Sequence, residues 1–301
     1  TRPTVALVNN AQREHLEFMH TVDAVAAENG SVFTSLPAHG TAVFPAGDVY
    51  TPVWRELAGP RLYLSFGADD ADVRLLQAAW SDNAWAVQAH TPLGKLSFTL
   101  HIAGRHNVMN ALAATACAVA AGVPLDAIAQ GLSGFTPVKG RSRAFSVDHG
   151  ERSITVVDDT YNANPDSMRA AIDVLAALPG PRLLVVGDMG EVGDQGPLFH
   201  AEAGAHAKTR GIELVFALGD QSAHVVDSFG AAGVHHSGID SLNAAVVAAL
   251  PEVGSVLVKG SRFMKMERVV AAITATQQQK QASEENTMPV TSIAVAGGAR
   301  C

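Results

Sequence analysis

Four apolar or β-branched residues, Ile154-Thr155-Val156-Val157, run straight into two acids, Asp158 and Asp159. The stretch that follows, Thr160-Tyr161-Asn162-Ala163-Asn164-Pro165-Asp166-Ser167-Met168, is crowded with hydrogen-bonding side chains. Such an apolar run predicts a buried strand. Pro165 suits the first turn of a helix, Asn164 its N-cap, and Asp166 the positive end of its dipole. In an open parallel sheet, ligands bind in the crevice beyond the strand C-termini. The same residues would also serve in an ordinary polar loop, so the other loops decide.

Those loops bring charged partners. Gly187-Asp188-Met189-Gly190-Glu191, Gly219-Asp220 and Lys259-Gly260-Ser261-Arg262 each follow an apolar run. Acids, glycines and a lysine thereby gather at one edge of the expected sheet, although glycine and aspartate are also ordinary turn residues. With Arg141, and with His15 as a metal-seeking imidazole, the chain offers carboxylates, cations and helix N-termini together. That mix suits a polyanionic substrate with Mg2+, whose charge must be neutralised during phosphoryl transfer. Competing chemistries lack their residues. No Cys/His set has zinc-ligand spacing, no Gly-x-Ser-x-Gly elbow is present, and no Gly-x-Gly-x-x-Gly follows a strand.

Those side chains need a scaffold, and the patterning predicts one. Strands at 153–158, 182–187, 213–218 and 255–259 alternate with helices near 165–178, 197–209, 221–229, 240–250 and 262–275. Such alternation predicts a doubly wound α/β domain with a mostly parallel sheet. Upstream, residues 3–8 predict a buried strand ending at Asn9-Asn10, residues 21–29 a helix and residues 40–44 another strand. Residues 60–102 carry short alternating runs, which predict antiparallel strands. Gly104 to Asn110 opens a long Ala-rich helix, and a shorter one runs from about Asp126 to Gly131. The Pro/Gly-punctuated, basic crossing from Phe135 to Arg143 places the domain boundary there. His200 is expected on a helix surface.

The chain has 301 residues, 48% hydrophobic and 17% charged, enough for about two domains. Its net charge of −8 argues against nucleic acid or an anionic membrane as main partner. Two cysteines, Cys117 and Cys301, imply no disulfide framework, and a cytoplasmic location fits them. No signal peptide and no bilayer-length apolar run is read. The chain starts at Thr1 and enters a strand almost at once, which reads as a chain cut inside a domain.

Taken in order, six motifs resemble the Mur ligases. They are Asn9-Asn10-Ala11 with His15-Leu16-Glu17, Gly104 to Asn110, Pro137 to Arg141, Asp158 to Met168, Gly187 to Glu191, and Lys259 to Arg262 with Met266-Glu267. The resemblance spans roughly residues 3 to 275. It implies an ATP- and Mg2+-dependent amide ligase of peptidoglycan precursor synthesis. The Tyr161 to Asp166 run resembles the branch that joins D-alanyl-D-alanine to UDP-N-acetylmuramoyl-tripeptide. The implied organisation is the C-terminal part of a mixed α/β central ATPase domain over residues 1–136 and a doubly wound, Rossmann-like C-terminal domain over 137–275. A disordered, polar tail over 276–301 completes it. A monomer that closes its domains on substrate is expected.

By position, the resemblance makes His15 the Mg2+ ligand and Asn110, with His106 and Asn107 nearby, the reader of adenine. Arg141 approaches the ATP phosphates and Asp159 holds the ribose. Tyr161, Asn162 and Asn164 face the amine and the acyl phosphate. Lys259, Ser261 and Arg262 serve the anionic groups of the peptide substrate, and Asp188 and Glu191 line the cleft. Asp159, Asn162, Lys259 and Arg262 form the expected catalytic set. Plainer roles exist: helix capping for Asn107, His15 or Lys259, and a hinge ion pair for Arg141 and Asp159.

Two departures stand out. No Gly-x-x-x-x-Gly-Lys-[Ser/Thr] phosphate loop occurs, so this chain is expected to be a C-terminal fragment, inactive by itself. Where many Mur ligases carry a carbamylated lysine, this chain has Asn29, beside Glu28. A non-catalytic ligand-binding module and a sister ligase such as folylpolyglutamate synthetase are the alternatives.

Overall fold

The computed structural model describes residues 3–81, 84–149 and 152–275, which form two six-stranded sheets. The expected tail at 276–301 lies outside the described residues. The first half runs β1 (Val5–Leu7), α1 (Leu16–Met19), α2 (Val22–Ser31), β2 (Thr41–Pro45), α3 (Thr51–Ala58), β3 (Leu62–Gly67), β4 (Val73–Ser81), β5 (Ala84–Thr91), β6 (Gly94–Leu100), α4 (Arg105–Ala120) and α5 (Leu125–Ser133). Its strands lie side by side in chain order. β1, β2, β3 and the start of β4 pair in parallel, and β4, β5 and β6 form an antiparallel meander. The expectation of antiparallel strands over 60–102 therefore needs correcting at β3. This strand follows α3, and the crossover through that helix returns the chain parallel to β2.

Both faces of the parallel strands are covered. Ala42 and Phe44 pack with Phe33, Trp54 and Ala58 on one side, while Val43 and Phe66 meet Leu112 and Ala116 of α4 on the other. Trp54, fully buried, donates its indole N–H to the Ala26 carbonyl at 2.9 Å.

The second half runs β7 (Arg143–His149), β8 (Arg152–Asp159), α6 (Pro165–Ala176), β9 (Arg182–Gly187), α7 (Gly196–Thr209), β10 (Leu214–Leu218), α8 (Ala223–Phe229), β11 (Gly233–His236), α9 (Ile239–Ala249) and β12 (Ser255–Lys259). A single 3-10 turn, Arg262–Met264, then leads into a helix over residues 267–275. The sheet order is β11-β10-β9-β12-β8-β7, parallel except for β7 against β8. Strand alternation explains the two-sided core. Val157, Leu184, Val186 and Leu257 meet α6, α7 and α8, whereas Val156, Leu183, Val185 and Val256 meet α9 and residues 267–275. This is the doubly wound arrangement expected of the second half.

β12 returns between β8 and β9, and helices leave the sheet on opposite faces around it. That is where a doubly wound sheet opens a crevice. Among the described residues no helix is long and apolar enough to cross a membrane.

Candidate active site at the seam between the sheets

The C-terminal ends of β8 and β12 bring Asp159 and Lys259 to facing positions of paired strands. Lys259 Nζ donates to Asp159 Oδ2 at 2.6 Å and to the Asn162 carbonyl at 2.9 Å. The other Asp159 oxygen accepts from the Ser142 N–H and hydroxyl. Asp158, buried, accepts from the Gly140 N–H at 3.0 Å and the Thr160 hydroxyl at 2.6 Å. The two acids thus hold the crossing segment, residues 134–142, against the sheet edge. Gly140 has φ +79°, and a Cβ there would stand 3.2 Å from the Tyr161 nitrogen, so this position needs glycine.

Arg141, delivered by that segment, lays its guanidinium 3.9 Å from the centroid of the Tyr161 ring. Downstream, Asn164 caps α6: its side chain accepts from the Ser167 N–H at 2.7 Å, and Ser167 returns the bond in a capping box.

From the first half, the loop after β1 and the start of α4 close the crevice. Asn9 donates its amide to Asn110 at 2.9 Å, Asn110 donates to Asn107 at 3.0 Å, and Asn107 donates to the Ala103 carbonyl at 2.7 Å. The cavity between this amide relay and the ends of β8 and β12 has a volume of about 390 Å3 and is lined by Asn107, Asn110, Arg141, Asp159, Tyr161 and Lys259. A cavity of that size takes a small molecule.

A second cavity of about 590 Å3 adjoins it, with Tyr161 and Asn162 lining both. Glu191, Ser261, Arg262 and Phe263 line its remaining walls. Ser261, buried, accepts from the Gly190 N–H at 2.5 Å and donates to the Ala163 carbonyl at 3.1 Å, stitching three strand-end loops together. Arg262 reaches Glu267 at 3.3 Å and stays two-thirds exposed.

Asp188 is placed differently. Its carboxylate accepts from the Ser222 N–H and hydroxyl, both at 2.7 Å, and so holds the turn before α8, outside either cavity. His15 and Glu191 meet across the seam, Nδ1 against Oε2. Both adopt positive φ, 54° and 58°, an uncommon conformation that marks a constrained contact. Asn29 donates to the Asn10 carbonyl at 3.2 Å and contacts Glu14 at 3.4 Å, whereas Glu28 is exposed. Among the described residues no group of three or more His, Cys, Asp or Glu could hold a metal. A Mg2+ ion held chiefly by phosphate oxygens and water needs only one or two protein donors, which His15 and Glu191 can supply.

Several seam residues had little signal in the sequence. Arg13 donates its backbone N–H to Asp166 at 2.8 Å, grips the same carboxylate through Nε and Nη2, and reaches Glu202 at 2.7 Å. Burial alone would lower its pKa, but the bonds to Asp166 and Glu202 outweigh this and hold it above the ordinary arginine value. His200 corrects an expectation: it is fully buried, not on a helix surface. One face of α7 packs Phe199, Ala203 and Ala207 into the core, and His200 beside them accepts from the Met189 N–H at 2.9 Å while bonding the Gly196 carbonyl at 2.7 Å. Burial pushes its pKa down, against the raising effect of that carbonyl.

Comparison with known proteins places this geometry. Residues 1–118 match the Mur ligase middle domain, and residues 143–262 match the Mur ligase, glutamate ligase domain. The chain belongs to the Mur ligase family.

The UDP-N-acetylmuramoyl-tripeptide--D-alanyl-D-alanine ligase of Escherichia coli (strain K12) is 37% identical over 277 residues, which cover 91% of this chain and 60% of that protein. A crystal structure of MurF from Acinetobacter baumannii superposes with a TM-score of 0.82 at 30% identity, covering 90% of this chain and 60% of the other. The fold is also that of MurF ligase from Thermotoga maritima in complex with ADP, at a TM-score of 0.80, 21% identity and coverage of 93% and 64%. The chain thus spans about 60% of the length of these curated relatives. Within this family the seam between the sheets is the candidate active site.

Proposed function

We propose that this chain carries the nucleotide- and peptide-facing parts of an ATP-dependent amide ligase that joins D-alanyl-D-alanine to UDP-N-acetylmuramoyl-tripeptide. The observation that carries this reading is the pair of adjoining cavities at the seam, with amides and Arg141 in the first, Tyr161 in the shared wall and Arg262 in the second. Its domains are a central-domain part over residues 1–136 and a C-terminal domain over 137–275. The Escherichia coli relative carries the same specificity in its name.

An amine cannot displace oxide from a carboxylate, so the acid must first become an acyl phosphate. In the first cavity Asn110 and Asn107 present amide donors and acceptors to adenine. Asp159, fixed by Lys259 and Ser142, faces the ribose. Arg141 neutralises phosphate. His15 would hold Mg2+, which when bound offsets phosphate charge. Tyr161, Asn162 and Asn164 border the path to the second cavity. There Ser261, Arg262 and Glu191 meet the tripeptide carboxylate and the incoming amine. Lys259 acts by fixing Asp159 and the Asn162 carbonyl, and Asp188 by holding the turn before α8. The protein works as a cytoplasmic monomer.

The test is phosphate release from ATP with Mg2+, UDP-N-acetylmuramoyl-tripeptide and D-alanyl-D-alanine, on this chain and on one of the relatives' length. Release by the longer chain that requires both acceptors supports the reading. Release driven by glutamate and a folate would replace it with the sister activity. Silence from the longer chain overturns it in favour of a binding module.

A further inference from the structure

Tyr161 stands in the wall shared by the two cavities, and one guanidinium from each cavity lies near its ring. Arg141 is 3.9 Å and Arg262 6.0 Å from the ring centroid, the second at the outer reach of a cation–ring contact. We infer that Tyr161 is a positioning residue, whose ring holds one cation at the nucleotide cavity and a second at the acceptor cavity, at the point where a phosphoryl group passes between them. This rests on the proposed identity of the two cavities.

Two observations set this ring apart from a surface tyrosine. First, the segment bearing Arg141 is tied to Tyr161 itself: the Tyr161 N–H donates to the Gly140 carbonyl at 3.0 Å, while Asp158 holds the Gly140 N–H. Guanidinium and ring are therefore fixed by one short backbone link. Second, the charges at the seam are treated differently. Lys259 is paired with Asp159, and its charge is compensated. Among the described residues Arg141 has no carboxylate partner, and Arg262 has only Glu267 at 3.3 Å. A carboxylate would orient an arginine by cancelling its charge, whereas an aromatic face orients it and leaves the charge available to an anion.

Phosphoryl transfer needs that availability. The bond from the terminal phosphorus to the bridging oxygen of ATP breaks, and its electron pair leaves with ADP. A bond from the same phosphorus to a carboxylate oxygen forms, and no proton moves. Total charge is unchanged, but negative charge shifts from one cavity towards the other, so cations on both sides of the wall are suited to the transition state.

The experiment has two readouts, the first on the 301-residue chain and the second on one of the relatives' length. Side-chain NMR of Arg141 reads the stacking: its δ-protons are ring-shifted upfield in the unsubstituted chain and in Tyr161→Phe, and lose that shift in Tyr161→Leu. Titration with ADP and Mg2+ reads the consequence. Tyr161→Leu weakens binding by roughly threefold to tenfold, the range of a cation–ring contact, and Tyr161→Phe restores it. Arg141→Gln gives a similar loss, and adding Tyr161→Leu to it gives no further loss. An equal loss in Tyr161→Phe, or full additivity with Arg141→Gln, overturns the positioning role and leaves the nucleotide site standing. Absence of ADP binding to the unsubstituted longer chain, with the ring shift present, overturns the nucleotide assignment and the role built on it.

Discussion

Lys259 Nζ stands 2.6 Å from Asp159 Oδ2, at facing positions of β12 and β8, with only 4% of the lysine side chain exposed. A lysine that reads in sequence as a substrate-binding cation is thus also the buried support of the carboxylate beside it. Removing one member of such a pair leaves the other uncompensated, which costs about 3–5 kcal/mol, whereas removing both costs far less. Lys259→Met should therefore lower the unfolding free energy by about 3 kcal/mol, and Asp159→Asn added to it should recover part of the loss. Urea denaturation of Lys259→Met, Asp159→Asn and the double variant measures this. Strict additivity would show that the pair does not support the fold.

Arg13 and Asp166 join the two halves from positions 153 residues apart, through three hydrogen bonds. About a quarter of each side chain is exposed, so solvent screening reduces their worth. Arg13→Ala should cost about 1–2 kcal/mol and loosen the seam. Small-angle scattering should then give a larger radius of gyration. An unchanged radius, with an unchanged urea midpoint, would mean that other contacts hold the halves.

What the sequence revealed divides along physical lines. β8, β9, β10 and β12 are buried on both faces, so each reads as a continuous apolar run. The Asn164-Pro165 helix start is legible because capping is local chemistry. β7 and β11 are edge strands; the former is rich in polar residues and the latter has four residues, two of them histidine. Neither carries enough apolar periodicity to be read. α3 escaped because Trp54 and Ala58 are its only buried residues. At the seam, Asp159 and Lys259 were visible as charges at strand ends, and Arg141 as part of the basic crossing segment. Their pairing was not, because register decides that Lys259 faces Asp159. Asn9 lay in a motif, but its bond to Asn110 depends on how the loop after β1 meets α4.

His200 should make stability depend on pH. Its folded pKa lies below the unfolded value of about 6.5, so the unfolded chain binds more protons between the two. Its contribution is complete above about pH 6.5 and is lost as pH falls from there towards the folded pKa. His200→Ala leaves the buried Met189 N–H without its acceptor and opens a cavity, costing about 2–4 kcal/mol at pH 7.5. The variant should also lose less stability than the parent between pH 7.5 and 5.5. Parallel pH curves for parent and variant would show that His200 does not carry this dependence.

Gly204 gives the sharpest packing test. It lies buried in α7 against α8, and a Cβ at this position would fall on the Val225 carbonyl oxygen. Backbone cannot move aside as a flexible side chain can, so Gly204→Ala must part the two helices. Helix propensity favours alanine by roughly 1 kcal/mol, while overpacking costs typically 1–3 kcal/mol and sometimes more. Contact with a backbone oxygen puts this site at the upper end, so steric cost wins and the melting temperature should fall by about 5 °C. Gly211, with φ +74° and open space around it, supplies the contrast: there Gly211→Ala is penalised by backbone conformation alone, at about 1 kcal/mol. If Gly204→Ala melts at or above the parent temperature, α7 and α8 are not packed as closely as described.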